Sequence, residues 1–234
     1  MLIATKQFYQ CSIVGADDTV GTVKDLLFDD IQWVIRYFDI DTGGWLTGRR
    51  VILPPGAIQD AEYATSLLFT PLTRSQVEDS PSLLSDMPVT RQKEQELAKF
   101  YSWDAYWASN AFTEQAEGDP NLRSTRSVSG YSIEALDGDI GHIDKFIIDD
   151  ADWHIRYLVI KTGNWLSGKL VLIPTAWAES IDWDSKHVRV LLEKKVIEEA
   201  PKFDPTVPIN RQYEEVFYDY YGRPRYWTRT RVKV

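Results

Sequence analysis

The sequence predicts a mainly β protein with short helices, built as two tandem small antiparallel β-barrels that are each followed by an aromatic-rich helix. Three observations predict this fold class. The chain of 234 residues repeats itself, and its 9 Trp, 12 Tyr and 9 Phe favour strands, where aromatic rings bury large areas. Short apolar runs also alternate with turn residues along the whole chain.

An internal repeat with an offset of 120 residues is the strongest feature of the sequence. Residues 33–48 read WVIRYFDIDTGGWLTG, and residues 153–168 read WHIRYLVIKTGNWLSG. From Ser12 to Pro54, 18 of 43 positions are identical to their partners without a gap. A match of this extent indicates that the chain arose by duplication of one module.

The duplication predicts the domain boundaries. We predict a first repeat with its C-terminal helix over residues 1–107 and a second repeat with its helix and a basic tail over residues 127–234. The stretch between them, residues 108–126, is polar and contains one Gly and one Pro, so it is predicted to be a linker.

Both copies show the same order of strands separated by turn residues. The Asp137-Gly138 pair is a hairpin signal, and Pro54 and Pro174 each end a strand. The predicted strands lie near residues 9–14, 20–28, 33–41, 51–53 and 66–72, and near 128–134, 140–148, 153–161, 171–173 and 187–193. The predicted cores contain Leu26, Ile35, Tyr37, Ile40 and Val51, and Phe146, Ile155, Tyr157, Ile160 and Val171.

Each copy then changes to helical signals. One helical turn is predicted at residues 75–79 and 195–199, because a proline follows shortly after each. Thr90 and Asn210 are good N-cap residues, and the stretches behind them, RQKEQELAKFYSWDAYW and RQYEEVFYDYYGRPRYW, predict a helix with an aromatic face.

Charge and targeting signals restrict the function classes. The net charge of −9 disfavours nucleic acid as a partner, because phosphates repel an acidic protein. The N-terminus lacks the pattern of a signal peptide, and no apolar run is long enough for a transmembrane segment. With one cysteine and no intramolecular disulfide, the chain is expected to be cytoplasmic.

The ordered signals resemble the PRC-barrel family. They are a glycine after an Asp-rich turn (Gly21 and Gly141), the Trp-x-Ile-Arg-Tyr strand, the Trp-Leu-x-Gly turn, and the Val-x-x-Pro strand. The resemblance covers roughly residues 8–82 and 128–202. It implies a small barrel, like the cytoplasmic barrel of the photosynthetic reaction centre H subunit or the barrel of a ribosome-maturation protein, that works through protein contacts and has no family-wide catalytic residues.

No recognisable catalytic or metal-binding set is found, and we expect a protein that is not an enzyme and has no cofactor. His142, His154 and His187 all lie in the second copy, and no third metal ligand accompanies them apart from Asp144 or Asp152. Cys11 has no base in its own copy and fits core packing better than catalysis.

Two repeated features carry charge but have structural explanations. The pairs Asp29-Asp30 and Asp149-Asp150 are explained by turn formation better than by metal or acid–base chemistry. Arg36 and Arg156 are expected to pair with an acidic neighbour or to stack on an aromatic ring.

The candidate interface residues are aromatic or basic side chains at turns and at the ends of the copies. Trp45-Leu46 and Trp165-Leu166 either anchor a partner or cap the end of the barrel. The basic tail either binds an anionic partner or forms an edge strand against the acidic body or another subunit. The candidates are Trp45, Leu46, Trp165, Leu166, Tyr106, Trp107, Tyr226, Trp227, Arg225, Arg229 and Arg231.

These observations predict a non-enzymatic scaffold module that binds an unidentified protein partner, with a homo-oligomer as a further expectation. Three alternatives stay open. One is binding of a small ligand or anion at an inter-repeat groove. The others, by family analogy, are accessory roles in photosynthetic electron transport at a reaction centre or in ribosome assembly.

Overall fold

A computed structural model describes residues 1–46, 49–81, 83–84, 89–107, 121–163 and 168–228. These residues are mainly β with short helices, as predicted. The strands are β1 (Leu2–Ala4), β2 (Ser12–Val14), β3 (Thr19–Asp29), β4 (Val34–Asp41), β5 (Arg49–Leu53), β6 (Asp60–Glu62), β7 (Leu67–Phe69), β8 (Leu83–Leu84), β9 (Leu122–Ser124), β10 (Ser132–Ala135), β11 (Gly138–Asp149), β12 (His154–Thr162), β13 (Leu170–Pro174), β14 (Ala178–Asp182) and β15 (His187–Val190).

The helices are short and follow the duplication. They are α1 (Thr5–Phe8), α2 (Arg74–Glu78), α3 (Arg91–Tyr101), α4 (Thr125–Val128), α5 (Lys194–Glu199) and α6 (Arg211–Tyr221), with 3-10 turns at Pro55–Ala57, Thr175–Trp177 and Tyr226–Thr228. Across the part of the chain that the structure describes, none of these helices has the length and apolarity needed to cross a membrane.

The chain folds into two compact units. The first-copy unit comprises Ala4–Ser127 and Asp152–His154, and the second-copy unit comprises Met1–Ile3, Val128–Ala151 and Ile155–Val234. Each unit therefore includes a short piece that comes from the other half of the sequence.

In the first-copy unit, β3 and β4 form a long antiparallel hairpin, and β5 continues the sheet beside β4. β2 pairs antiparallel with β3 and parallel with β7. In the second-copy unit, β10 likewise pairs antiparallel with β11 and parallel with β15. The sheet is therefore mixed and not antiparallel as predicted, because the chain makes a crossover between β2 and β7, and between β10 and β15.

Within the described ranges, backbone hydrogen bonds do not close the sheet into a barrel. Strand β6 pairs only with β7, and β14 only with β15. The structure thus shows a mixed sheet in both units.

The predicted core residues are buried in both units. Their exposed fractions do not exceed 4%. Successive side chains of a strand point to opposite faces, and β3, β4, β5, β11, β12 and β13 are buried at consecutive positions over part of their length, so both faces are covered there. Thr90 and Asn210 cap α3 and α6 as predicted, since each side chain accepts a hydrogen bond from the backbone three residues on.

Two segments differ from the expected elements. Residues 122–126 of the predicted linker form β9 and the start of α4, because β9 pairs with β3 from Leu27 to Asp29. Residues 108–120 lie outside the described residues. The aromatic helices end at Tyr101 and Tyr221, earlier than predicted, since Ser102 and Gly222 adopt left-handed backbone conformations.

Candidate functional site

A buried glutamate connects helix α3 to the sheet of the first-copy unit. Glu94 is 0% exposed. Its carboxylate accepts a hydrogen bond from the Tyr106 hydroxyl at 2.8 Å and pairs with the Arg91 guanidinium at 2.8 Å. Tyr37 of β4 also hydrogen-bonds to Glu94. We call Arg36, Tyr37, Arg91, Glu94 and Tyr106 the first glutamate network.

The same network recurs in the second-copy unit at an offset of 120 residues. Glu214 is 2% exposed and accepts hydrogen bonds from Tyr157 at 2.6 Å and from Tyr226 at 3.0 Å. Arg211 pairs with this carboxylate at 2.9 Å. Arg156, Tyr157, Arg211, Glu214 and Tyr226 form the second glutamate network. A buried charge is tolerated where a counter-charge and hydroxyl donors surround it.

Burial is the largest cause of the pKa shifts in these networks. Desolvation raises the pKa of Glu94 above its usual value, and Arg91 and Tyr106 oppose that shift. Desolvation, reinforced by the nearby carboxylates, also raises the pKa of Tyr37, Tyr106, Tyr157 and Tyr226. The tyrosines therefore stay protonated at neutral pH and act as hydrogen-bond donors to the carboxylates.

Arg36 and Arg156 link each network to a turn. Arg36 donates to Asp29 at 3.1 Å and lies 4.0 Å from the centre of the Tyr106 ring. Arg156 pairs with Asp149 at 3.2 Å and lies 4.3 Å from the Tyr226 ring. The predicted structural role of both arginines is confirmed, and each makes both of the expected contacts.

The aromatic pairs that follow the helices are held against their own units. Arg91 lies 4.5 Å from the Trp107 ring, and Arg211 lies 4.0 Å from the Trp227 ring. Arg225 pairs with Asp219 of α6 at 2.8 Å. Of the candidate interface residues, Tyr106, Trp107, Tyr226, Trp227 and Arg225 thus have partners inside their own unit.

The first-copy unit contains a groove of about 430 Å³ beside its network. Three aromatic side chains line it: Trp103 and Tyr106 from the segment after α3, and Trp153. Pro54 and Pro55 also line it. Arg36 and Tyr106 belong to both the groove and the first glutamate network, so the network fixes one wall of the groove.

Trp153 is placed by a strained turn. Its φ is 62°, and Trp33, its partner in the first copy, has a φ of 56°. The left-handed region costs an L-residue about 1–2 kcal/mol, so the ring contacts must offset that cost. The Trp153 ring packs 5.3 Å from Phe38 and 5.8 Å from Phe8, and the Trp33 ring stacks on Phe28 at 5.4 Å.

The other candidate residues are arranged as follows. The Trp45 indole donates to the Val20 carbonyl at 2.9 Å, and Leu46 is buried, which matches the capping alternative for this turn. Trp165, Leu166, Arg229 and Arg231 lie outside the described residues.

The described residues that were candidates for catalysis or metal binding do not come together in a site. Cys11 is buried, its thiol donates to the Gln7 carbonyl at 2.9 Å, and burial raises its pKa. Asp29 accepts from the backbone of Ile31 and Gln32, as expected for a turn. Over the described ranges, no group of three or more His, Cys, Asp or Glu side chains is arranged to hold a metal ion.

A second, polar cavity of about 540 Å³ lies in the second-copy unit. Its lining includes Glu134, Asp139, Asp182, His187 and Arg189, on β10, β11, β14 and β15. His187 directs its Nδ1 to the Ser185 carbonyl at 2.7 Å. These side chains are exposed or half-buried, unlike the enclosed groups of the glutamate networks.

Sequence reasoning missed Arg91, Glu94, Arg211 and Glu214. The signal was available, because Arg-Gln-x-Glu stands at residues 91–94 and again at 211–214 in the first turn of each helix. An acidic residue in a first helical turn has an ordinary explanation in the helix dipole, so its burial could not be recognised without the fold.

Comparisons with known proteins agree with this architecture. The model of the PRC-barrel domain matches residues 2–65 and 126–196, which together make up more than half of the chain. A protein of Deinococcus radiodurans described as an uncharacterized protein is 35% identical over 71 residues, or 30% of this chain. The matched segment is 24% of that relative, so the chain covers about a quarter of its length. With both copies matched by the same domain model, the chain belongs to the PRC-barrel family.

Proposed function

We propose that this chain is a non-enzymatic protein-interaction module and that the groove of the first-copy unit is its partner-binding surface. The observation that carries the proposal is the lining of the groove, which contains Trp103, Tyr106 and Trp153 together with two prolines. Aromatic side chains give large contact areas at low entropic cost and dominate protein interfaces.

Two of the polar side chains that line the groove, Arg36 and Tyr106, support contact over catalysis. Arg36 is engaged by Asp29, and the Tyr106 hydroxyl is engaged by Glu94 and Arg91. Both groups are therefore occupied with holding the wall in place. A catalytic site needs a nucleophile or base within hydrogen-bond reach of an accessible substrate position.

The proposal includes the finer architecture and the location of the protein. We take each unit to be a PRC-type barrel followed by its aromatic helix, supported by the family match in both copies. A cytoplasmic location and assembly of several copies belong to the same proposal. Roles at a photosynthetic reaction centre or in ribosome assembly stay predictions that the identity of a captured partner would decide.

Comparative capture tests the proposal. The tagged chain, a Trp103→Ala variant and a Trp183→Ala control are each used to capture proteins from a lysate of the native host. Trp183 is half-buried in the second-copy unit and does not line the groove. We expect a partner that is retained by the wild type and the control and is lost with Trp103→Ala, with all three chains folded by circular dichroism. Identical capture by all three chains would refute the proposal.

A small apolar ligand is the second candidate occupant, because about 430 Å³ lies within the range of ligand pockets. A thermal-shift screen against metabolites separates the two functions. A ligand that stabilises the wild type but not Trp103→Ala, in the absence of any protein captured through the groove, would favour ligand binding.

A further inference from the structure

Exposed apolar side chains lie where helix α6 meets helix α5 in the second-copy unit. The Tyr220 hydroxyl donates to the Val196 carbonyl of α5 at 2.8 Å, and Val216 stands one helical turn before Tyr220. Leu191 lies beside the end of α6, because its carbonyl accepts a hydrogen bond from Arg223 at 3.3 Å. Leu191, Val216 and Tyr220 are 38% to 62% exposed, and Val196 is half-buried. We call Leu191, Val196, Val216 and Tyr220 the α5–α6 patch.

The first copy has a more polar version of this surface. The residues 120 positions before the α5–α6 patch are Pro71, Gln76, Glu96 and Phe100. Gln76 is used in the capping box of α2, and Glu96 pairs with Lys93 of its own helix at 2.6 Å. Clusters of exposed apolar side chains surrounded by polar groups mark protein contacts. Of the two copies, the second therefore has the surface that is suited to a contact.

The charges of α5 are ordered against the preference of a single helix. Lys195 is exposed in its first turn, and Glu198 and Glu199 are exposed in its last turn. Cations at the start and anions at the end of a helix oppose its dipole, and a lysine that precedes a glutamate gives the weaker pair within one helix. Glu198 is attracted by Lys169, which donates to its carbonyl. Among the residues that the structure describes, Lys195 and Glu199 form no ion pair.

We infer that the α5–α6 patch binds the same patch of a second copy of this chain, with the two α5 helices antiparallel about a two-fold axis. Every contact of such an interface occurs twice. The antiparallel arrangement places Lys195 of each chain beside Glu199 of the other, and the apolar side chains pack between the two charge pairs. The inference rests on the part of the proposed function in which several copies assemble, and it uses no residue of the groove.

Two charge-reversed variants test the inferred arrangement on the full chain. Lys195→Glu and Glu199→Lys each bring like charges together across the axis, so each is expected to weaken self-association at least about tenfold. Mixed in equal amounts, the two variants are expected to form a mixed dimer with nearly the affinity of the wild type. In that dimer the two reversed charges face each other, and so do the two native charges. Sedimentation velocity over a series of concentrations measures all of these affinities.

Two further variants test the position of the surface. Asp79→Lys is the matched control, since Asp79 is the exposed counterpart of Glu199 at the end of α2. It should associate as the wild type does. Val216→Asp places a charge in the apolar part of the patch and is expected to weaken association at least about tenfold, because an unpaired charge would be buried.

The outcomes separate the inference from the proposed function. A wild type that stays monomeric up to about 0.5 mM would refute both the inference and the assembly of several copies, whereas binding of a partner in the groove would be unaffected. A dimer that persists in Lys195→Glu, Glu199→Lys and Val216→Asp would show that the copies assemble through another surface, and the inference would be wrong. Loss of the dimer in both charge variants without recovery in their mixture would also overturn it, because a folding defect then explains the loss.

Discussion

The side chains of Glu94 and Glu214 show how a buried charge is made stable in this fold. Each carboxylate is almost completely removed from water and meets one arginine and two tyrosine hydroxyls. Hydroxyl donors matter here, because a guanidinium alone does not compensate the desolvation of a carboxylate. The tyrosines are therefore structural parts of the networks, and their hydroxyls contribute to stability.

Removing one hydroxyl should be measurable in either unit. Tyr106→Phe and Tyr226→Phe are each expected to lower the free energy of unfolding by about 1–3 kcal/mol, since a buried carboxylate loses a donor. Tyr220→Phe is the matched control on α6, because its hydroxyl bonds to the Val196 carbonyl at an exposed position. Urea denaturation measures all three. Equal, small losses in the three variants would show that the buried hydroxyls do not support the carboxylates.

The raised pKa of Glu94 has a consequence for the pH dependence of stability. An acid whose pKa is higher in the folded than in the unfolded state contributes stability below the unfolded value, and this contribution is lost as the pH rises through the folded value. The stability of wild type relative to Glu94→Gln should therefore be greater at about pH 5 than at about pH 7.5. Urea midpoints of both proteins at the two pH values test this sign. A wild-type advantage that grows with pH would contradict it.

At this scale, the sequence predicts side chains whose role follows from a local pattern. The strand pattern identified the buried Ile35 and Ile155. The expectation that Arg36 pairs with an acidic neighbour or stacks on an aromatic ring agrees with its ion pair with Asp29, although the sequence did not name that partner. The role of Glu94 could not be predicted, because Tyr106 comes 12 residues later and Tyr37 lies 57 residues earlier.

At the scale of elements, Leu2 and Ile3 of strand β1 are part of the second-copy unit although they precede the first copy. Strand β1 pairs with β11, and β9, which stands at the equivalent position of the second copy, pairs with β3. Neither strand was predicted from the sequence. Three residues are too few for a periodic pattern, and the polar Arg-Ser sequence of β9 resembles a linker.

A substitution in β1 should affect a unit that is distant in sequence. Ile3 is 2% exposed. We expect Ile3→Ala to cost about 2–4 kcal/mol and to accelerate hydrogen exchange in peptides covering residues 138–149, with little change at residues 19–29. Ile31→Ala, at a 72% exposed position, is the control and should be neutral. Faster exchange confined to the first-copy unit would show that β1 has been assigned wrongly.

The ends of α3 and α6 form a natural pair for comparison. Both helices end at a left-handed residue, Ser102 with a φ of 56° and Gly222 with a φ of 58°. The starts were predictable from Thr90 and Asn210, whereas serine at residue 102 gives no stop signal in the sequence.

Exchanging the two cap residues should shift stability in opposite directions. Ser102→Gly is expected to raise and Gly222→Ser to lower the free energy of unfolding by about 1 kcal/mol, because glycine adopts positive φ without steric cost. Thermal denaturation of both variants against the wild type measures the shifts. Changes of the same sign in both would mean that contacts of the serine side chain, and not backbone strain, decide the cap.

At the scale of the whole molecule, the two copies share their networks and differ at the groove. The first-copy residues Trp103 and Asp104 correspond to Arg223 and Pro224 in the second copy. Arg223 lies 5.6 Å from the Trp177 ring. The networks are thus repeated, whereas Trp103 and Asp104 of the groove lining have diverged, as expected if one copy has a separate binding role.

The sequence predicts this organisation only in part. The duplication follows from matching the two halves of the sequence, and the family, the β content and the buried strand positions follow from patterns that each copy shows. The groove could not be predicted, because it combines Trp153 with Pro54 and Trp103, which lie far apart along the chain. The parallel pairing of β2 with β7 could not be predicted for the same reason, because the two strands are joined by a long crossover.

The central claim is that a partner docks in the groove of the first-copy unit, and site-specific photo-crosslinking in the native host tests it most directly. Gly56 lines the groove, and a Cβ built there meets no atom within 4 Å; the same holds for Gly44, which lies outside the groove. A benzoylphenylalanine is introduced as Gly56→p-benzoylphenylalanine or, for the control, at Gly44. We expect a discrete protein adduct from residue 56 that is absent from residue 44 and is lost when Trp103→Ala is added. An adduct of equal yield at both positions, or one that survives Trp103→Ala, would contradict the claim.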